Sequence, residues 1–240
     1  QFNPRLLAVL KDETAVHIPL AAASGGDGRV YFGGKEIRTG NGGGLGWCRP
    51  DTGEKGGIKF PDYQPFFMCA SNQGRYILVS AKPGDPGDNP GQVPKQGRLF
   101  VWDTAFMKMK HELDLPVGTP GPVCEVLDGL VIGHASAEEG GVLYGLEVES
   151  GKILWTKPVP EKPTTSFALV RRHRYNFSLG PDGRLWTFLG KTLVRIDPLS
   201  VAVEPVGAIP GGAGAMLAFS HGKVYAAGGD HLYEIQGVPA

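Results

Sequence analysis

The sequence predicts an all-β fold, a β-propeller of four-stranded antiparallel blades, and three observations carry that prediction. The first is composition: 37 Gly and 20 Pro in 240 residues, about a quarter of the chain, exclude long helices. The 41% hydrophobic share still supplies a packed core. The second is a repeat. An apolar residue followed by proline recurs at Ile18-Pro19, Phe60-Pro61, Leu115-Pro116, Val159-Pro160 and Ile209-Pro210, close to the ~40–50 residues of a propeller blade. The third is internal to each copy: a glycine opens a strand-like run at Gly28, Gly74, Gly129, Gly183 and Gly222, followed by Arg29, Arg75, Leu130, Arg184 and Lys223.

A further run and a turn complete each copy. They read GGLGWCRPDTGE (43–54), RLFVWDTAFMK (98–108), VLYGLEVESGK (142–152) and TLVRIDPLS (192–200). Asp-Thr-Gly and Glu-Ser-Gly suit tight hairpins, because the acidic side chain caps the turn and glycine accepts positive φ. Each copy therefore holds four short strands, and such sheets bury both faces by stacking around an axis. The blades fall at about 20–61, 62–116, 117–160 and 161–210, in a single domain. Partial blades lie at 1–19, with strands LLAVL and TAVHI, and at 211–240, with strands near 216–220, 222–228 and 231–236. This strand count suits a five-bladed ring with a spare segment or, preferably, the C-terminal part of a larger propeller.

Equal numbers of basic and acidic residues, 24 each, give no global attraction to nucleic acid or anionic membrane. No apolar run reaches the ~20 residues that span a bilayer, and the first residues lack a basic-then-apolar leader. The three cysteines show no metal-ligand spacing. Cys69 and Cys124 share a column of neighbouring inner strands, a separation too wide for a disulfide, which predicts free thiols.

Strand order places the b–c loops and d–a connections on one face and the short a–b and c–d turns on the other. The variable segments (33–46, 82–97, 134–141 and 161–174) all belong to the first of these faces, where binding residues are expected. The fourth d–a connection carries an insert of about ten residues with Lys162, Arg171, Arg172, His173 and Arg174, the densest basic run in a neutral chain. Guanidinium groups bind carboxylate or phosphate in a bidentate manner, so this run is the candidate anion site; the competing reading is a solvated loop pairing with Glu138 and Glu139. His134 stands where other copies have Gly33, Val79, Phe188 and Ala227, and His231 follows Asp230 in the equivalent loop of the last copy. With Tyr63 they are the candidates for moving a proton. Asp85, Asp88 and Asn89 offer oxygen ligands but not the density that calcium needs. No phosphate loop, nucleophile elbow or metalloprotease helix is present.

At GLEVESGKILW (145–155) and DTGEKGGIKF (51–60) the chain resembles the repeat of quinoprotein-like (PQQ-like) propellers, with Trp155 at the repeat's tryptophan position. At LGPDGRLWTFLGKTLVRIDP (179–198) it is similar to the repeat of gluconolactonase-like and virginiamycin B lyase-like propellers. The resemblance implies the propeller fold and an extracytoplasmic location. No set of cofactor ligands carries over, so no cofactor is evident, and a divalent metal is left open. Two functions are expected. One is a monomeric scaffold that binds a protein or carbohydrate on the loop-rich face. The other is an enzyme acting on an acidic sugar, a lyase or lactonase, in which the basic run neutralises a uronate carboxylate while His134, His231 or Tyr63 moves a proton.

Overall fold

The computed structural model describes residues 6, 9, 14, 16–36, 42–84, 96–137, 140–159, 177–208, 216–228 and 231–236. They form five antiparallel sheets, each built from consecutive strands. The first blade holds β1 (Ile18–Ser24), β2 (Val30–Lys35), β3 (Gly43–Cys48) and β4 (Lys55–Phe60). The second holds β5 (Tyr63–Ser71), β6 (Tyr76–Pro83), β7 (Arg98–Asp103) and β8 (Lys108–Asp114). The third holds β9 (Thr119–Leu127), β10 (Leu130–Ala137), β11 (Gly140–Glu147) and β12 (Lys152–Val159). The fourth holds β13 (Ser178–Leu179), β14 (Leu185–Leu189), β15 (Thr192–Ile196) and β16 (Val203–Ala208). The fifth has three strands among the described residues, β17 (Met216–Ser220), β18 (Lys223–Gly228) and β19 (His231–Ile235).

Local chemistry explains the repeat. All five repeat glycines are left-handed, with φ of 80°, 83°, 72°, 72° and 72° at Gly28, Gly74, Gly129, Gly183 and Gly222. A side chain there would add backbone strain at every a–b turn. In the first and fourth blades the shared Asp-Gly-Arg is a small hydrogen-bonded unit. Asp27 Oδ1 accepts from the Arg29 amide at 3.0 Å and Asp182 Oδ1 from the Arg184 amide at 3.1 Å. The aromatic two residues further on reaches the same carboxylate, through Tyr31 Oη at 2.8 Å and Trp186 Nε1 at 3.1 Å.

At the c–d turns the acidic residue caps as expected: Asp197 Oδ1 accepts from the Leu199 and Ser200 amides at 3.0 and 2.9 Å. Gly53 and Gly151 close two of these turns with φ of 74° and 71°, whereas Met107 and Val201 sit in the left-handed region at 51° and 58°. For a β-branched residue that conformation costs ~1–2 kcal/mol. Val201→Gly is therefore expected to raise stability by about 1 kcal/mol, read as a higher urea midpoint at unchanged slope.

Four apolar clusters join the five sheets. Tyr31, Leu45 and Phe60 of the first blade meet Ile77, Val79 and Phe100 of the second. Tyr76, Leu78 and Val101 of the second meet Val131, Tyr144 and Leu146 of the third. Ile132, Leu143 and Val159 meet Leu185, Val194 and Ile196 at the third joint, and Trp186, Phe188 and Leu193 meet Val224 and Ala226 at the fourth. The chain-order packing is that of a propeller arc. The position that faces the next blade is occupied by Leu45, Val101, Leu143 and Leu193, all buried, whereas its counterpart in the fifth blade, Leu232, is 74% exposed.

Three expectations need correction. TAVHI is not a strand: Thr14, Val16 and His17 precede β1, which starts at Ile18. Of LLAVL only Leu6 and Val9 are among the described residues, and neither is in a strand; Leu7, Ala8 and Leu10 lie outside them. Thr14 and Val16 are buried on the outer face of the first blade, where a Cβ at Gly44 would overlap the Thr14 carbonyl and one at Gly57 its Cγ2. The glycines of 33–46 thus partly serve close packing of the chain's own segment. Ile18-Pro19 lies inside β1 rather than after an outer strand, and an axial edge strand tolerates the missing N–H at a register shift. Last, Val79 does not share the column of His134. The Ser71↔Tyr76 turn closes over four residues where Ser24↔Val30 uses five. That one-residue slip turns Val79 to the first blade and Leu78 to the third.

Candidate functional site

The inner strands line an axial channel of about 400 Å³, walled by Leu20–Ala22, Phe67–Cys69, Pro122–Cys124 and Phe177-Ser178. The three cysteines are free, as inner-strand spacing predicted for Cys69 and Cys124. Cys69 packs toward the joint of the second and third blades and Cys124 toward the next joint. Burial pushes the Cys69 thiol up and the Cys124 thiol to about 11, so neither is a thiolate at neutral pH.

On the a–b side of the channel mouth, Glu125 staples two blades. Its Oε1 accepts from Ser71 Oγ at 2.6 Å, the Asn72 amide at 2.7 Å and the Gly129 amide at 3.0 Å. The Gly26 amide donates to the Gly74 carbonyl at 2.9 Å and ties the first blade to the same turn. Arg29 reaches Glu54 at 2.7 Å and Thr104 Oγ1 reaches the Gly74 and Arg75 carbonyls. The a–b and c–d turns therefore share one face, as strand order required. Glu125→Ala removes three charge-assisted bonds and is expected to cost about 2–3 kcal/mol in chemical denaturation. Glu125→Gln, which keeps an acceptor, should recover part of that loss.

The proton-transfer candidates occupy separate places, two of them in different joints and one on the exposed fifth blade. Tyr63 is buried between the first two blades, edge-on to Phe100 at 5.5 Å, with the Arg98 guanidinium over its ring at 5.1 Å. Burial pushes its phenol up against the opposing pull of Arg98. His134 faces the fourth blade, 4% exposed, its ring laid across Gly121 and Gly141. A Cβ at Gly121 would lie 2.6 Å from Nδ1, and one at Gly141 would overlap Nε2. Both glycines make room for the imidazole. Nε2 has no hydrogen-bond partner, and burial lowers the imidazole to about 4, so it is neutral at physiological pH. His231 is exposed on the fifth blade with its ring stacked near Tyr233, centroids 6.0 Å apart. The three side chains do not share a pocket.

Lys162, Arg171, Arg172, His173 and Arg174 lie outside the described residues, as do Asp85, Asp88, Asn89, Glu138 and Glu139. Among the described residues no three His, Cys, Asp or Glu side chains cluster as a metal site would require. No helix among them is long and apolar enough to cross a membrane. Sequence reasoning missed Glu125, which lies in an inner strand without any repeat counterpart to mark it.

No protein-family model and no curated protein matches the chain. Solved structures do. The structure of the Dos1 propeller matches at TM-score 0.56 and 12% identity, over 85% of this chain and 54% of that one. A crystal structure of the mitotic checkpoint complex matches at 0.61 and 11%, over 90% and 60%. The β-propeller domain of Cps50 (Swd1) from Myceliophteria thermophila matches at 0.56 and 14%, over 87% and 61%. The chain spans between 54% and 61% of the length of these structures. At such identities the likeness concerns fold alone, and with five meander sheets joined in chain order it makes this chain a β-propeller.

Proposed function

We propose that the chain is a noncatalytic propeller scaffold that binds another protein. The observation that carries this reading is the dispersal of Tyr63, His134 and His231 over three separate places, within sheets whose joints are filled by apolar clusters. Such an array holds surfaces at fixed positions and, among the described residues, does not bring these three side chains together as a proton-transfer pair. One of the similar structures is that of the mitotic checkpoint complex, in keeping with a scaffold. The bared Leu232 supports reading the five sheets as an arc of a larger ring. Affinity purification of the whole chain from its native cells, with light scattering of the eluted species, should yield a stoichiometric protein complex. A carbohydrate ligand would instead leave the eluted mass that of the chain alone.

The second reading, an enzyme acting on an acidic sugar, draws on the basic run Arg171–Arg174 in the sequence. Its test is the ultraviolet absorbance of an unsaturated uronate during incubation with anionic polysaccharides. Turnover that disappears in Arg171→Ala would displace the scaffold reading.

A further inference from the structure

The joints between blades are not filled alike. On the c strand, one position faces the preceding blade and plugs the outer part of the joint. It is Phe100 in the second blade, Tyr144 in the third and Tyr233 in the fifth, paired with Val79, Gly133 and Ala226. In the fourth blade the same position is Val194, paired with Thr187. At the first joint Phe100 stacks on Phe60 with centroids 4.4 Å apart. At the third joint the corresponding residues are Val194 and Val159, so two phenyl rings are replaced by two isopropyl groups. There a crevice of about 470 Å³ opens at the rim, lined by Pro158, Val159, Leu189, Val194, Val203 and Pro205. That volume is in the range of small ligand pockets.

Lys157 stands at the same crevice. Among the described residues its ammonium meets the Val201 carbonyl oxygen at 2.6 Å and no carboxylate. The site thus combines an apolar crevice, floored by Val159 and Val194, with a lysine that among the described residues meets no carboxylate. We propose that this crevice between the third and fourth blades is a docking site for an extended segment of a partner protein, which inserts one aromatic side chain and sets a neighbouring Asp or Glu on Lys157. The ring takes the place that Phe100, Tyr144 and Tyr233 fill at the other joints, and aromatic anchors in desolvated slots carry much of the affinity of protein interfaces. Charge complementarity at Lys157 selects an acidic neighbour. The proposal rests on the scaffold reading and names its surface.

The test selects a phage-displayed library of random 12-residue peptides on the whole chain. Enriched peptides are then measured by fluorescence polarisation against the unaltered chain, Val194→Phe and Lys157→Glu. Phenylalanine suits position 194 because the second blade carries it at the equivalent place, and unchanged thermal unfolding verifies the fold. Should that variant unfold, Pro205→Arg at the exposed lip serves instead. The expected result is a set of peptides sharing an aromatic residue beside Asp or Glu, bound at least about tenfold more weakly by Val194→Phe and several-fold more weakly by Lys157→Glu. Peptides that bind Val194→Phe as tightly as the unaltered chain overturn the crevice while leaving the scaffold reading intact. Failure to enrich any peptide also overturns the crevice, and the purified native complex then decides the scaffold reading separately.

Discussion

Trp186→Ala is expected to lower the stability of the chain by about 3–5 kcal/mol, the range for deleting a fully buried large aromatic. Trp186 is completely buried at the joint of the fourth and fifth blades. It packs edge-on to Phe219 at 5.7 Å and donates its Nε1–H to Asp182. Its removal opens a cavity in the smallest of the four clusters and leaves the Asp182 carboxylate without one of its donors. The loss should be local at first. Amide hydrogen exchange in β17–β19 is expected to accelerate more than in β1–β12, because the fifth blade leans on Trp186 while the first three blades are joined through other clusters. Uniform acceleration across all five sheets would instead mean that the blades unfold as one unit.

The second large effect is a pH dependence centred on His134. Its imidazole is held at about 4 by burial in the folded chain, against an ordinary value near 6.5. The unfolded chain therefore binds a proton that the folded chain refuses as pH falls below about 6.5. Stability is lost progressively from there down to about pH 4, where the folded state also takes up the proton, for a total on the order of 3 kcal/mol. His134→Leu removes this term. At pH 7 the variant should differ little from the native chain, since the lost imidazole nitrogen had no hydrogen-bond partner to leave behind. Carboxylates held below their ordinary range by Arg29 and Arg75, namely Asp27 and Asp103, add acid sensitivity common to both proteins. The difference between the two denaturation curves isolates the histidine. Curves that run parallel from pH 7 to pH 4.5 would show that His134 is solvated in the folded chain.

The repeat was legible because each blade needs the same few residues for local reasons. Gly28, Gly74, Gly129, Gly183 and Gly222 hold left-handed turns, and Asp27 and Asp182 cap the same unit twice. Prolines after the outer strands at Pro61 and Pro116 mark their ends. The first proline misled because Pro19 sits in an inner strand, where one edge faces the axis and needs no donor. The histidine column was misaligned at the second blade, because counting from Gly74 could not show that a four-residue turn reverses the face of everything after it.

Taken alone, the sequence determined the all-β class, the turn glycines, the free thiols of Cys69 and Cys124 and the side of the sheets on which the short turns gather. These follow from backbone conformation and strand order, which are local. Only the tertiary structure decided that Glu125 joins two blades, that His134 is buried rather than presented to solvent, and that Val194 leaves a crevice where Phe100 and Tyr144 close one. Those properties depend on which face of one sheet meets which face of the next. A single-residue change in turn length exchanges the two faces without altering the pattern of residues along the chain.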